Sequence, residues 1–267
     1  VRADDDVIVR ALLDLSARAA ELVLKARDRG FEVSYKAPLD PVTTADVAAN
    51  ELICSELAKQ FPGVPLVAEE SAPESYAAYT ESATAFFIDP IDGTREFVGG
   101  SSEFVVMIGF ATGGRADVGV VCAPLLGQTW FGKHGVGAWS LTGGHAVRIE
   151  TSRVTNLPEA TLLVSPPASL TDPVAASLGP GKVQSVGSAG LKGARIAEGS
   201  ADVYVSLGVA GKLWDACAID ALLRAAGGTL TDTKGRALDY RHARLENDHG
   251  LLATNGPLLD PVIARLA

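Results

Sequence analysis

Ala85-Phe86-Phe87-Ile88-Asp89-Pro90-Ile91-Asp92-Gly93-Thr94 carries the densest signal in the chain. Phe86, Phe87 and Ile88 form a short apolar run that predicts a buried strand, and it ends on Asp89-Pro90. Two carboxylates three residues apart therefore stand at the mouth of a strand, and Pro90 stiffens the backbone between them. Gly93 lets a ligand approach the main chain closely, and Thr94 adds a hydroxyl beside it. Hard cations such as Mg²⁺ select clustered carboxylate oxygens together with phosphate and water. The same residue types also make an ordinary strand end and turn.

On the N-terminal side, Ile8, Leu12, Leu15, Ala19, Leu22 and Ala26 recur with helical spacing. They predict an amphipathic helix from about Asp5 to Arg29, stopped at Gly30. A second helix is predicted over 45–61, before Pro62-Gly63. Residues 32–44 read as extended, and 66–68 as a short strand running into Glu69-Glu70. On the C-terminal side, 103–111, 116–122, 128–133 and 137–141 read as an antiparallel meander, with Thr112-Gly113-Gly114-Arg115 as a hairpin turn.

Beyond about Arg148 helices and strands alternate. Strands are predicted at 162–165, 183–186, 201–206 and 229–231. Helices are predicted at 173–178, 187–198 and 215–226. Pro166-Pro167 breaks the first strand, Gly227-Gly228 closes the last helix, and 232–236 is a turn. This alternation is the pattern of an α/β layer. The expectation is one compact functional unit: an N-terminal α+β half over 1–147 and a C-terminal α/β half over 148–267.

Composition excludes several classes. Acidic residues outnumber basic ones by 32 to 23, giving a net charge of -9 with no basic run, which argues against binding nucleic acid through its phosphates. A site for a small anion in such a chain needs a local device, such as a metal, to reverse the field. No apolar run approaches the about 18 residues of a membrane span. Val1-Arg2 followed by Asp4-Asp5-Asp6 lacks a basic start with an apolar stretch behind it, so no secretory signal is expected. Cys54, Cys122 and Cys217 are dispersed and odd in number, which argues against disulfides and zinc and for a reducing cytoplasm.

The other carboxylates each have a structural explanation. Glu69-Glu70 matches a common surface pair. Asp215 follows Trp214 at a predicted helix start, where Asp is a favoured N-cap. Thr43-Thr44-Ala45-Asp46 matches a capping box with Thr43 as cap. His134, His145, His242 and His249 are dispersed and read as surface or loop residues. No Ser–His–Asp or Cys–His order stands out.

Taken in order, Pro41-Val42-Thr43-Thr44-Ala45-Asp46, Glu69-Glu70-Ser71, Asp89 to Thr94, and Trp214-Asp215-Ala216-Cys217-Ala218 closely resemble the signature of a phosphatase superfamily. It is the lithium-sensitive, Mg²⁺-dependent superfamily of inositol monophosphatase, the fructose-1,6-bisphosphatases and the 3′(2′),5′-bisphosphate nucleotidases. The resemblance covers essentially the whole chain and implies an αβαβα sandwich, often a homodimer. It implies that Glu69, Asp89 and the Ile91 carbonyl hold one metal, and that Asp89, Asp92 and Asp215 hold a second. Asp46 would lie near a third, more labile metal and hydrogen-bond Thr94. Gly93 and Thr94 would present backbone N–H groups to phosphate, with Glu70 in a supporting position. The implied reaction is hydrolysis of a phosphate monoester, with two or three Mg²⁺ ions and a water activated by Glu69 and by Thr94 backed by Asp46.

Arg95-Glu96-Phe97 and then Glu103-Phe104 resemble the CysQ-type nucleotidase branch. So does Lys36-Ala37 to Asp40-Pro41-Val42-Thr43, with Asp40 where Ser is usual. That branch implies removal of the 3′-phosphate of 3′-phosphoadenosine 5′-phosphate, and of its 5′-phosphosulfate, in sulfur assimilation. Gly187-Ser188-Ala189-Gly190-Leu191-Lys192 resembles the inositol enzymes in its small residues, while Lys192 matches the nucleotidases. The acidic residue that inositol enzymes carry before Trp-Asp is Ser206 here. Ser188, Lys192 and Lys212 are thus the candidate substrate contacts. The alternatives are a solvated helix position for Lys192 and a solvated loop for Lys212. An inositol-phosphate or fructose-1,6-bisphosphate phosphatase is the other enzymatic reading. An inactive phosphate-binding protein would lack ligands that are all present here. Trp130, Phe131 and Trp139 read as sheet packing rather than as an adenine platform.

Overall fold

The computed structural model describes residues 6–38, 40–166 and 173–266. Helix α1 (Val7–Arg29) is capped by Asp6, whose carboxylate accepts the N–H of Ile8 at 2.9 Å. The predicted start at Asp5 lies outside the described residues, as does Pro167 of the predicted break. Val9, Leu12, Leu15, Ala19 and Val23 are buried, with Ile8, Leu22 and Ala26 partly so at the edge of the stripe. Residues 32–44, read as extended, form a hairpin of β1 (Val33–Ala37) and β2 (Asp40–Thr43). Helix α2 (Thr44–Gln60) starts on the expected capping box of Thr43 and Asp46.

A seven-stranded sheet follows: β3 (Leu66–Ala68), β4 (Thr84–Asp92), β5 (Val105–Thr112), β6 (Arg115–Ala123), β7 (Gln128–Lys133), β8 (Gly137–Thr142) and β9 (His145–Ile149). The strands lie side by side in chain order, antiparallel except for the parallel pair β3–β4. The predicted meander is therefore present. Strand β9 was not predicted, because its residues are nearly all exposed and offer no apolar run. Helices cover both faces of the sheet, so its central strands are apolar throughout rather than alternating. Phe86 and Ile88 face α1 and α2; Phe87 packs on the other side, in the cluster of Trp214 and Tyr240.

The second sheet is built from β10 (Thr161–Val164), β11 (Lys182–Ser185), β12 (Val203–Ser206), β13 (Thr229–Thr231) and β14 (Leu251–Thr254), in the order β11-β10-β12-β14-β13. Pairs β10–β11 and β10–β12 are parallel, and β14 runs antiparallel to both its neighbours. Helices α5 (Ala189–Ala197) and α6 (Leu213–Ala226) fill the space between the two sheets. Helices α4 (Pro173–Leu178) and α7 (Leu259–Leu266) cover the far face, with Leu178 and Val262 against Leu162, Val203 and Leu252. The layers run helix, sheet, helix, sheet, helix, as expected. Strand β14 and helix α7 were not predicted; β14 is a four-residue central strand with no flanking pattern. Trp130 and Phe131 are core residues. The Trp130 indole N–H donates to Glu198 at 2.7 Å, and Phe131 stacks on Trp139. All four histidines are exposed.

Helix α6 carries a buried acid that the sequence reading passed over. The Tyr240 hydroxyl donates to Asp220 Oδ2 at 3.0 Å, while Oδ1 is buried with no hydrogen-bond partner among the described residues. Burial pushes Asp220 from 3.8 up to about 7, against the opposing Tyr240 bond and the Arg224 charge. The folded chain thus holds this proton to higher pH than the unfolded chain. The stabilisation is complete below about pH 4 and is lost as pH rises toward 7. Relative to Asp220→Asn, the wild type is expected to lose ~4 kcal/mol of stability between about pH 4 and pH 8. Urea unfolding of both proteins at stepped pH measures this difference, and a flat difference would show that Asp220 is not desolvated.

Candidate active site

Asp89 and Asp92 lie at the end of β4, where its pairing with β5 slips. Asp89 is opposite Met107 and Asp92 opposite Val105, so three steps on β4 match two on β5. In a regular strand, residues three apart point to opposite faces. One extra residue restores the parity and turns both carboxylates toward α6. Pro90, with no N–H to give, sits within the bulge. Asp89 Oδ1 accepts the Ile91 N–H at 3.0 Å and so stiffens the bulge.

Asp215 arrives from the other side, on the first turn of α6. It is the third helical residue, not the cap; its Oδ2 accepts the Lys212 N–H at 2.6 Å. Asp89, Asp92 and Asp215 place one carboxylate oxygen each within 4.8 Å of one another. Burial, then the charges of Glu69, Asp92 and Asp215, push Asp89 well above the ordinary carboxylate range. Burial and then Glu69 and Asp92 push Asp215 up to about 7. A set of crowded, mutually repelling carboxylate oxygens fits a hard divalent cation, which would remove the repulsion.

Glu69 follows β3, and its N–H donates to Ile88 at 3.1 Å, which carries it alongside β4. The Lys36 ammonium reaches it from β1, 2.9 Å from Glu69 Oε1 and 2.5 Å from Glu70 Oε1. Although burial pulls Lys36 down, the two glutamates raise it above the ordinary lysine value. Glu69 and Glu70 thus share one lysine. The Lys36 motif was read as a branch marker only; its partners, 33 and 34 residues away, were not visible.

Gly93 adopts φ 94°, ψ 42°, a left-handed conformation that a side chain would strain, and leads into the short helix α3 (Thr94–Val98). The Thr94 hydroxyl lies 3.1 Å from both Asp46 Oδ1 and the Ile91 carbonyl; its one proton serves one acceptor at a time. Asp46 keeps its capping role as well, since its Oδ2 accepts the Thr43 N–H at 2.8 Å. Burial raises Asp46, with the Thr43 and Thr94 hydrogen bonds opposing.

Asp92, Gly93, Thr94, Ser188 and Lys192 line one cavity of 430 Å³, which also takes in Asp40, Arg95, Glu96 and Tyr204. Ser188 caps α5 and donates its hydroxyl to Asp92. Lys192 is only 1 % exposed, which rules out a solvated helix position. Its ammonium donates to the carbonyls of Gly187 (2.7 Å) and Ser188 (3.3 Å) and lies 4.7 Å from the Tyr204 ring centre. Burial lowers it to about 8, opposed by Asp92, Glu96 and Glu103. Lys212 does not reach the cavity; its ammonium sits over the Trp214 ring at 4.8 Å.

The sequence profile of the inositol monophosphatase family matches residues 4–267. Human 3′(2′),5′-bisphosphate nucleotidase 1 is 32% identical over 256 residues, 80% of this chain and 79% of its own. The CysQ 3′(2′),5′-bisphosphate nucleotidase of Aggregatibacter actinomycetemcomitans is 26% identical over 87% of each chain. A histidinol-phosphatase of Mycobacterium tuberculosis is 31% identical over 98% of each. Among solved structures, the extragenic suppressor protein suhB of Bartonella henselae has the same fold, with a TM-score of 0.83 at 23% identity over 98% of each chain. An IMPase of Thermotoga maritima matches with a TM-score of 0.79 at 26% identity, over 95% of this chain and 94% of its own. With its five layers, its carboxylate cluster and a profile match over nearly its whole length, the chain belongs to the inositol monophosphatase family of phosphatases.

Proposed function

We propose that the chain is a Mg²⁺-dependent phosphatase that removes the 3′-phosphate of 3′-phosphoadenosine 5′-phosphate, and of its 5′-phosphosulfate, in sulfur assimilation. One observation carries the reading: the cavity that holds Asp92, Gly93 and Thr94 also holds Lys192 and Arg95, as a substrate with a second phosphate requires. The nucleotidase relatives support it. Glu69, Asp89, the Ile91 carbonyl, Asp92 and Asp215 would hold two or three Mg²⁺ ions, with Asp46 beside the most labile. Bound Mg²⁺ supplies the positive field that a chain of net charge -9 lacks, and offsets charge on the attacking and leaving oxygens. Glu69 accepts the proton of the attacking water. Thr94, held by Asp46, orients that water. The backbone N–H groups of Gly93 and Thr94 orient the phosphate. The compartment we propose is the cytoplasm, supported by three free cysteines, two of them buried.

Lys192 has one N–H beyond its two carbonyl bonds, and we assign it to the phosphate that is not cleaved. A charge-assisted hydrogen bond is worth ~1.5–3 kcal/mol. Lys192→Met is therefore expected to lower kcat/KM for 3′-phosphoadenosine 5′-phosphate ~10- to 100-fold. Turnover of inositol 1-phosphate, which has no second phosphate, should change little. Equal losses on both would assign Lys192 to support of the 187–188 segment instead.

A second reading is favoured by acid in the same cavity. Asp40 and Glu96 line it, and they suit a phosphate monoester that carries a cationic group, as histidinol phosphate does. The histidinol-phosphatase relative matches over 98% of both chains. Specificity constants for 3′-phosphoadenosine 5′-phosphate, histidinol phosphate, inositol 1-phosphate and fructose 1,6-bisphosphate under one Mg²⁺ condition decide the matter. A higher value for any but the first would overturn the nucleotidase reading.

A further inference from the structure

We propose that Glu103 is a positioning residue for Asp92, acting across the fold through Gly187 and Ser188. The inference rests on the reading of Asp92 as a metal ligand. Glu103 precedes β5 and belongs to the Glu-Phe pair that marks the branch, yet no step of the reaction uses it. Its Oε2 accepts the N–H of Gly187 at 2.9 Å, across 84 residues of chain. Gly187 leads directly into Ser188, the cap of α5.

Among the described residues the Asp92 carboxylate receives two hydrogen bonds, and both donors come from this segment. The Ser188 hydroxyl and the Gly190 N–H (2.6 Å) donate to the same oxygen, Oδ2. Oδ1 takes no hydrogen bond among the described residues and is the oxygen left for a cation. The orientation of Asp92 is therefore set by where α5 begins. Lys192 holds that start through the Gly187 and Ser188 carbonyls, and two acidic side chains hold it from the other side. Glu103 takes the Gly187 N–H, and the Glu96 side chain packs so closely that a Cβ on Gly187 would lie 2.5 Å from its Cγ. A backbone N–H held by a carboxylate is a strong, directional contact, and without Glu103 it would lack a partner in a partly buried place. Groups that orient a metal ligand commonly change metal affinity about 10- to 100-fold when removed. Glu103 and Glu96 thus acquire a shared role: together they seat the segment that aims Asp92.

The test uses the full chain freed of metal and titrated with Mn²⁺ by calorimetry, with thermal melting of the metal-free protein alongside. Glu103→Met removes the acceptor at similar volume and is expected to weaken Mn²⁺ binding about tenfold. Glu103→Gln keeps an oxygen acceptor and should recover most of that loss. Ser188→Ala should also weaken binding, and Glu103→Met added to it should cost less than it does alone, because the two share the Ser188 path while the Gly190 N–H remains. Wild-type affinity in Glu103→Met would overturn the proposal, as would additive losses in the double variant. Equal losses in Glu103→Gln and Glu103→Met would also overturn it, since charge rather than the hydrogen bond would then matter. If the wild type itself binds no Mn²⁺, or Asp89→Asn binds it equally well, the metal reading of the site fails first and this inference falls with it.

Discussion

Asp89→Asn is expected to lower kcat ~1,000-fold or more at saturating Mg²⁺ while leaving the fold intact. The substitution keeps the shape of a buried side chain and removes only its charge. Asp89 is the centre of the carboxylate crowd, with Glu69, Asp92 and Asp215 all raising its pKa after burial itself. Loss of a ligand proposed to serve two cations removes the field that the phosphate needs. The same loss relieves repulsion in the metal-free protein, so its melting temperature should rise rather than fall. Turnover measured across a Mg²⁺ series, with melting curves in chelator, checks both halves. Retention of more than about a tenth of wild-type turnover would sink the site assignment.

Gly119→Ala is expected to destabilise the chain by ~3 kcal/mol or more, the top of the range for overpacked cores. A Cβ at Gly119 would lie 2.0 Å from the carbonyl oxygen of Ala218, a backbone atom of α6 that no rotamer can move aside. Gly109 on β5 pairs directly with Gly119 on β6, and its own Cβ would meet Cys217 Sγ at 2.7 Å. The two glycines form a bare patch on the sheet against which α6 lies. Since α6 carries Asp215, pushing the helix off the sheet should also weaken metal-dependent activity. Urea unfolding and kcat under one Mg²⁺ condition test the two effects together. Stability within about 1 kcal/mol of wild type would mean that α6 has room to spare.

Features set by neighbouring residues were open to reading from the chain alone. Asp46 at the third position after Thr43 announces a capping box because the bonds close within one turn, and the helix starts there. The run from Glu103 to Cys122, broken at Gly113-Gly114, announces a hairpin for the same reason. The ordered carboxylates Asp46, Glu69, Asp89, Asp92 and Asp215 were legible as a resemblance, and three of them meet within 4.8 Å.

Other features exist only because distant segments meet. A one-residue slip between β4 and β5 puts Asp89 and Asp92 on the same side, and nothing in Asp-Pro-Ile-Asp announces it. Lys192 looks like an ordinary helix lysine until the Gly187 and Ser188 carbonyls and the Tyr204 ring enclose it. Lys212, a plausible phosphate contact by charge and position, is instead drawn onto Trp214. Glu103 and Gly187, like Ser188 and Asp92, are joined across more than 80 residues. A hydrogen bond between near neighbours is fixed by backbone geometry, so spacing reveals it. A bond across the fold depends on how two sheets and the helices between them pack, and no local spacing encodes that distance.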